Sequence, residues 1–188
     1  EVTHKTGILS YRVLYFEKDK SGAFNPPEDY PEQSLASIST HDLATLAGWW
    51  EGTDIRLRAE TGRQSESDTG AALQQRQLDR VALLQALEEA GLLSKEFVPA
   101  LTDPKELPER LGEELFVAIH RFAARASSVL FAVQLDDMLM SVQQANLPGT
   151  IDEYPNWRIR TPVTLEELSA QAMFSKLAQA LAEERPRA

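Results

Sequence analysis

Residues 8–16, Ile-Leu-Ser-Tyr-Arg-Val-Leu-Tyr-Phe, are a run of aromatic and branched side chains too short for a helix, and their pattern predicts a buried strand. The stretch 19–31 holds Gly22, Pro26, Pro27 and Pro31, which restrict or interrupt regular structure, so a long loop is expected there. Ser-Leu-Ala-Ser-Ile-Ser-Thr at 34–40 is a second short strand, giving way at once to His41-Asp42 and a helix-like segment over 43–50. After a polar break at 62–70, residues 71–90 place Leu78, Val81, Leu84 and Leu87 at helical spacing. Pro104 and Pro108 frame the start of another helix, in which Leu111, Leu115, Ile119 and Phe122 recur on one face. Ser-Val-Leu-Phe-Ala-Val-Gln at 128–134 predicts a third buried strand, closing in Asp136-Asp137. Thr164 and Glu167 have capping-box spacing and open a last helix through Phe174, Leu177 and Leu181 to Pro186.

This order of strands and helices predicts an α/β fold with parallel strands joined by helical crossovers. Three strands are too few to close a barrel. Twice the polar residues follow the end of a strand: His41-Asp42 after the second and Asp136-Asp137 after the third.

The 188 residues suffice for one domain with a real core, and 43% hydrophobic with 26% charged residues is the usage of a folding, soluble chain. A net charge of -10 argues against nucleic acid as partner, because phosphate neutralisation needs clustered Lys and Arg. The absence of cysteine excludes disulfides, thiolate metal sites and a cysteine nucleophile, and fits a cytoplasmic location. No run approaches the roughly 18 to 20 apolar residues of a membrane span, so no membrane association is expected. The chain opens Glu1-Val2-Thr3 without methionine, which points to a fragment or a processed chain.

The most informative stretch is Ser37-Ile38-Ser39-Thr40-His41-Asp42-Leu43, in which a strand delivers an imidazole and a carboxylate to its carboxyl end, the active-site face in barrel enzymes. From the residues alone, the simpler reading makes Asp42 the cap of the helix that follows. Four blocks bear on the choice. Ser39-Thr40-His41-Asp42-Leu43 with Thr45-Leu46-Ala47-Gly48-Trp49-Trp50, residues 7–17 (Gly-Ile-Leu-Ser-Tyr-Arg-Val-Leu-Tyr-Phe-Glu), residues 26–31 (Pro-Pro-Glu-Asp-Tyr-Pro) and residues 146–158 (Asn-Leu-Pro-Gly-Thr-Ile-Asp-Glu-Tyr-Pro-Asn-Trp-Arg) together resemble the amylomaltase or 4-α-glucanotransferase family of the α-amylase superfamily. Ala44 departs from the family's proline at that position.

The resemblance implies the C-terminal part of a (β/α)8 TIM barrel over residues 1–188, its strands read as the sixth, seventh and eighth. It implies retaining transfer of an α-1,4-glucan segment to the 4-hydroxyl of an acceptor by double displacement, which needs a nucleophilic carboxylate and an acid/base carboxyl. Asp42 would be neither, but a third carboxylate that stabilises the transition state by gripping sugar hydroxyls, with His41 donating to the same sugar and Asn146 lining the site. The family's nucleophile and acid/base lie on earlier strands, and the acid/base motif does not precede Gly7 here. The chain alone is therefore expected to be inactive and, with unpaired strand edges, to self-associate or to need the missing N-terminal part of the barrel. The expected substrate is a maltooligosaccharide or α-1,4-glucan, with no cofactor and no metal.

Other polar residues are assigned no catalytic role. Asp136-Asp137 reads as capping, since consecutive side chains do not share a face. Glu28-Asp29 and Asp152-Glu153 are likewise set aside, with Asp152 expected to organise its loop. Gly149 permits a tight turn after Asn146, and Asn156 and Trp157 are expected to fix that loop against the barrel. Trp49 and Trp50 are read as core packing, and His4 and His120 as having no site. A non-catalytic maltodextrin-binding remnant and a helical interaction module are the competing functions.

Overall fold

The computed structural model describes residues 7–186, so His4 lies outside the described residues. Among these, three parallel strands form one sheet in the order β1 (Ser10–Val13), β2 (Ser34–Ser37), β3 (Leu130–Ala132). Ser10 pairs with Ser34 and Val13 with Ser37, while Leu35 pairs with Leu130 and Ser37 with Ala132. All three strands thus finish at the same end. The β2–β3 crossover carries helices α1 (Leu46–Glu51), α2 (Thr53–Glu60), α3 (Glu66–Glu89) and α4 (Glu113–Ala124). After β3 come α5 (Leu135–Met138), α6 (Leu165–Leu168) and α7 (Ala172–Glu184).

The strands are shorter than their apolar runs, and two are not buried. β1 stops at Val13 because Leu14–Phe16 turns into a 3-10 helix that buries Leu14 and Tyr15. β1 and β3 are the sheet's edges among the described residues, and Tyr11 and Leu130 are each 52% exposed. Only β2, between them, is mostly buried. Its small side chains allow close contacts: the Ser34 and Ser128 hydroxyls lie 2.6 Å apart.

The helices follow the predicted periodicity with shifted starts. All four residues of the stripe Leu111, Leu115, Ile119 and Phe122 are buried, although α4 begins only after Gly112, and Pro104 opens a separate 3-10 turn. α3 begins at Glu66, inside the presumed polar break, because the Ser65 hydroxyl accepts the Asp68 N–H at 3.1 Å. Its C-terminal half carries the burial through Leu83, Leu84 and Leu87, whereas Leu78 is 61% exposed. The Thr164–Glu167 capping box is present but belongs to the short α6, and the chain breaks at Gln171 before α7.

Trp49 and Trp50 are core residues, as the sequence implies. The Trp49 ring stacks on Tyr15 at 5.1 Å between centroids, and the Trp50 indole N–H donates to the Pro108 carbonyl at 3.0 Å. Arg76 lies over the Trp49 ring and Arg80 over the Trp50 ring, 4.8 and 4.4 Å from their centroids.

His120 is fully buried on α4, its Nδ1–H donating to the Phe116 carbonyl at 2.8 Å while Nε2 has no partner. Burial holds its pKa down at about 4, against 6.5 in an unfolded chain. The unfolded state therefore binds the extra proton as pH falls from 6.5 toward 4, and the native state loses stability over that window. His120→Phe is expected to remove roughly 3 kcal/mol of this acid-induced loss. Parallel stability curves for the two proteins between pH 7 and pH 4, by urea unfolding, would refute the assignment.

Candidate functional site

The carboxyl end of the sheet opens into a cleft of ≈ 470 Å³ lined by Tyr11, Ser37, Ser39, His41, Gln134 and Asp136 among others, with Asp42 at its edge. β2 delivers its chain here and then turns sharply: the Leu43 N–H returns to the Thr40 carbonyl at 3.0 Å and the Asp42 N–H to the Thr40 hydroxyl at 3.3 Å. This turn puts His41 and Asp42 on the protein surface, with side chains 61% and 48% exposed. Their polar atoms face one another, His41 Nε2 lying 3.3 Å from Asp42 Oδ2.

Asn146, 104 residues further on, reaches the same carboxylate and donates from Nδ2 to Asp42 Oδ1 at 2.6 Å. The three residues singled out in the sequence are therefore brought together. The loop behind Asn146 is built by Asn156, whose Oδ1 accepts the Leu147 N–H at 2.8 Å and whose amide donates to the Thr150 carbonyl and hydroxyl. Gly149 takes the left-handed conformation the turn requires, with φ 85°. Glu153, not Asp152, organises the next turn, accepting the Ile151 and Asp152 N–H groups and pairing with Arg63.

Two readings change in three dimensions. Asp42 does not cap the following helix: α1 starts at Leu46, and Thr45 is its cap, accepting the Gly48 N–H at 3.1 Å. Asp42 is thereby left free for other partners. Trp157 is also less of a loop anchor than expected, being 65% exposed with φ 60°, its backbone N–H tied to the Ala145 carbonyl and its ring 5.2 Å from that of His41.

The acidic pair after β3 divides its work. Asp137 is buried and accepts the Leu46 N–H at 2.6 Å, capping α1 from a distant part of the chain. Burial raises its carboxyl to about 7, opposed by that hydrogen bond and reinforced by Asp136. Asp136 instead lines the cleft, and partial burial raises its pKa as well. Its position after a strand, like that of Asp42, was the available signal, and the sequence reading set it aside with its neighbour.

Chemically the cleft edge offers a carboxylate acceptor beside an imidazole and an amide, a set suited to gripping adjacent hydroxyl groups. Among the described residues, no group of three or more His, Asp or Glu side chains could hold a metal ion, and no helix is long and apolar enough to cross a membrane.

A family model described as 4-alpha-glucanotransferase matches residues 1–165. The chain is 33% identical over 185 residues to the 4-alpha-glucanotransferases of Mycobacterium bovis and Mycobacterium tuberculosis, covering 93% of this chain and 24% of theirs. It is 33% identical over 150 residues to that of Haemophilus influenzae, covering 80% of this chain and 21% of the relative. The crystal structure of amylomaltase from Corynebacterium glutamicum superposes with a TM-score of 0.83 at 29% identity, over 96% of this chain and 26% of that one. The chain thus spans about a quarter of the length of the relatives it matches, and its three parallel strands and helices form part of an α/β barrel. With the motif blocks, the fold and the family model in agreement, the chain belongs to the 4-alpha-glucanotransferase family.

Proposed function

We propose that this chain supplies the sugar-gripping portion of a 4-α-glucanotransferase active site, in which a segment of an α-1,4-glucan passes to the 4-hydroxyl of an acceptor glucan or glucose with retention. The observation that carries the reading is the convergence of Asp42, His41 and Asn146 at the carboxyl end of a parallel strand, with Asn146 holding one oxygen of Asp42. In this reading Asp42 accepts hydrogen bonds from two hydroxyls of the sugar whose bond is broken, and His41 donates to the same ring. Such contacts strengthen as oxocarbenium character develops, and so lower the barrier rather than only the binding constant. Asn146 fixes the rotamer of Asp42, which a half-exposed carboxylate would otherwise lose.

The reacting carboxylates belong, on this proposal, to strands of the barrel other than β1, β2 and β3, since a retaining pair must flank the scissile bond and the chain spans only about a quarter of its relatives. A transferase containing this chain should convert maltotriose into glucose and longer maltooligosaccharides without loss of anomeric configuration, while residues 1–188 alone should release no glucose. Net hydrolysis in place of transfer, or activity of the 188-residue chain alone, would overturn the proposal. A reducing cytoplasm is the proposed location of a chain without cysteine, testable by fractionation.

The outer edges of β1 and β3 are the proposed contacts with neighbouring barrel strands. Val129 and Leu130 at one edge and Ile8 and Tyr11 at the other are all at least half exposed. Residues 1–188 alone are expected to self-associate through these edges, with the mass from light scattering rising with concentration. A constant monomer mass across a wide concentration range would count against the edge assignment.

A further inference from the structure

The turn that carries His41 and Asp42 has little to hold it in place by itself. Its internal bonds are the Leu43 N–H to the Thr40 carbonyl and the long contact of the Asp42 N–H with the Thr40 hydroxyl. The Tyr15 hydroxyl donates to the Ala44 carbonyl at 3.2 Å, and four further bonds tie the turn and its flanks to one later segment, residues 134–146. Gln134 Nε2 donates to Ser39 Oγ at 2.8 Å before the turn. The Leu46 N–H donates to Asp137 Oδ1 at 2.6 Å beyond it. The Thr45 hydroxyl, itself the cap of α1, donates to the Ser141 carbonyl. Asn146 then reaches Asp42 itself.

The same segment also packs backbone to helix. A Cβ added to Gly48 would stand 2.7 Å from the Val142 carbonyl oxygen, so glycine at this position is what lets the segment lie directly on α1. Asp137 is the one carboxyl group of the lacing that is buried, with 1% of its surface exposed, against nearly half of the Asp42 side chain. A buried carboxylate that accepts a helix-terminal N–H has a single satisfactory place, because moving either group leaves a desolvated polar atom unpaired.

We infer that residues 134–146 are a brace that sets the orientation of the His41–Asp42 turn, and that Asp137 is its anchor, a positioning residue for transfer that does not itself touch sugar. The inference rests on the proposed role of Asp42. Through Asp137 the start of α1 is fixed relative to β3, and the turn between β2 and α1 then has both ends held while Asn146 sets the carboxylate. A displacement of the turn by an ångström separates Asp42 from the sugar hydroxyls in the transition state without abolishing ground-state binding by the rest of the site.

The test compares Asp137→Leu, Asp137→Asn and Gly48→Ala in the transferase containing this chain, with maltotriose as substrate and at a temperature where circular dichroism shows each variant folded. Asp137→Leu removes the acceptor at similar volume and should lower kcat roughly 30- to 100-fold with KM changed by less than about 3-fold. Asp137→Asn keeps an acceptor oxygen for the Leu46 N–H and should return kcat to within about 3-fold of the parent. Gly48→Ala removes no polar group, yet should reproduce the kcat loss by pushing the brace off α1, and it carries the test should Asp137→Leu fail to fold. A folded Asp137→Leu or Gly48→Ala protein with parental kcat overturns the inference, as does an Asn variant as impaired as the Leu variant. Asp42→Asn in the same assay separates the two ideas: its inactivity beside a fully active Asp137→Leu refutes the brace alone, whereas its activity refutes the role of Asp42.

Discussion

Asp42→Asn is expected to lower transfer from maltotriose by at least about 100-fold in a transferase containing this chain, while leaving the fold intact. The substitution keeps an oxygen for Asn146 Nδ2 and removes the charge. Hydrogen bonds to a charged group contribute about 1.5 to 3 kcal/mol each, and the proposal gives Asp42 two, to neighbouring sugar hydroxyls. Loss of both corresponds to roughly 3 to 6 kcal/mol in the barrier, which exceeds a 100-fold change in rate. Stability should hardly respond, since the side chain is 48% exposed and that of its neighbour His41 is 61% exposed. Kinetics with maltotriose, together with urea unfolding of the variant, check both halves. An unchanged kcat refutes the assignment, and a rise in KM alone would mean that Asp42 binds ground state and transition state equally.

The largest expected effect on stability is at Arg76. Its guanidinium donates to both oxygens of Asp54 at 2.9 and 3.1 Å, also donates to the Trp49 carbonyl, and lies over the Trp49 ring. Asp54 is 6% exposed, and its other cation, Arg58, has a side chain 40% exposed. Arg76→Met removes the buried partner and leaves a carboxylate in a region of low dielectric with one solvated arginine. Breaking a buried pair in this way costs about 3 to 5 kcal/mol, whereas replacing both partners with apolar residues is often neutral. Chemical unfolding should therefore show a loss of about 3 kcal/mol or more for Arg76→Met, and recovery of most of it in Asp54→Leu/Arg76→Met. A loss below about 1 kcal/mol for the single variant would show that Arg58 suffices.

The two predictions fall on opposite sides of what a sequence can reveal. Asp42 stands out along the chain because the strand ending at Ser37 and the motif that follows are contiguous. Arg76 and Asp54 lie in different helices, 22 residues apart, and nothing in their local patterns predicts a bidentate pair. Leu115, Ile119 and Phe122 were legible as core because an apolar stripe at helical spacing must face other apolar surface. Leu78 fits the same spacing and is exposed, because whether a stripe is covered depends on where the helix packs rather than on its own period. The starts of α1 and α3 moved for a related reason. Asp42 and Thr45 before α1, and Ser65, Ser67, Asp68 and Thr69 around the start of α3, leave more than one possible cap, and the one used is set by which side-chain oxygen faces the free N–H groups.

At the site, sequence alone determined that a strand presents His41 and Asp42 at its carboxyl end, that Asn146 begins a turn with Gly149 inside it, and that the four blocks resemble one family. Only the tertiary structure decided that Asp42 leaves the helix cap to Thr45, that Asn146 grips its carboxylate across 104 residues, and that Asp137 holds the start of α1 while Asp136 lines the cleft. The physical reason is range. Periodicity and capping propensities act over one or two turns of chain, whereas a hydrogen bond between distant residues exists only after burial of the apolar helices has brought donor and acceptor within about 3 Å.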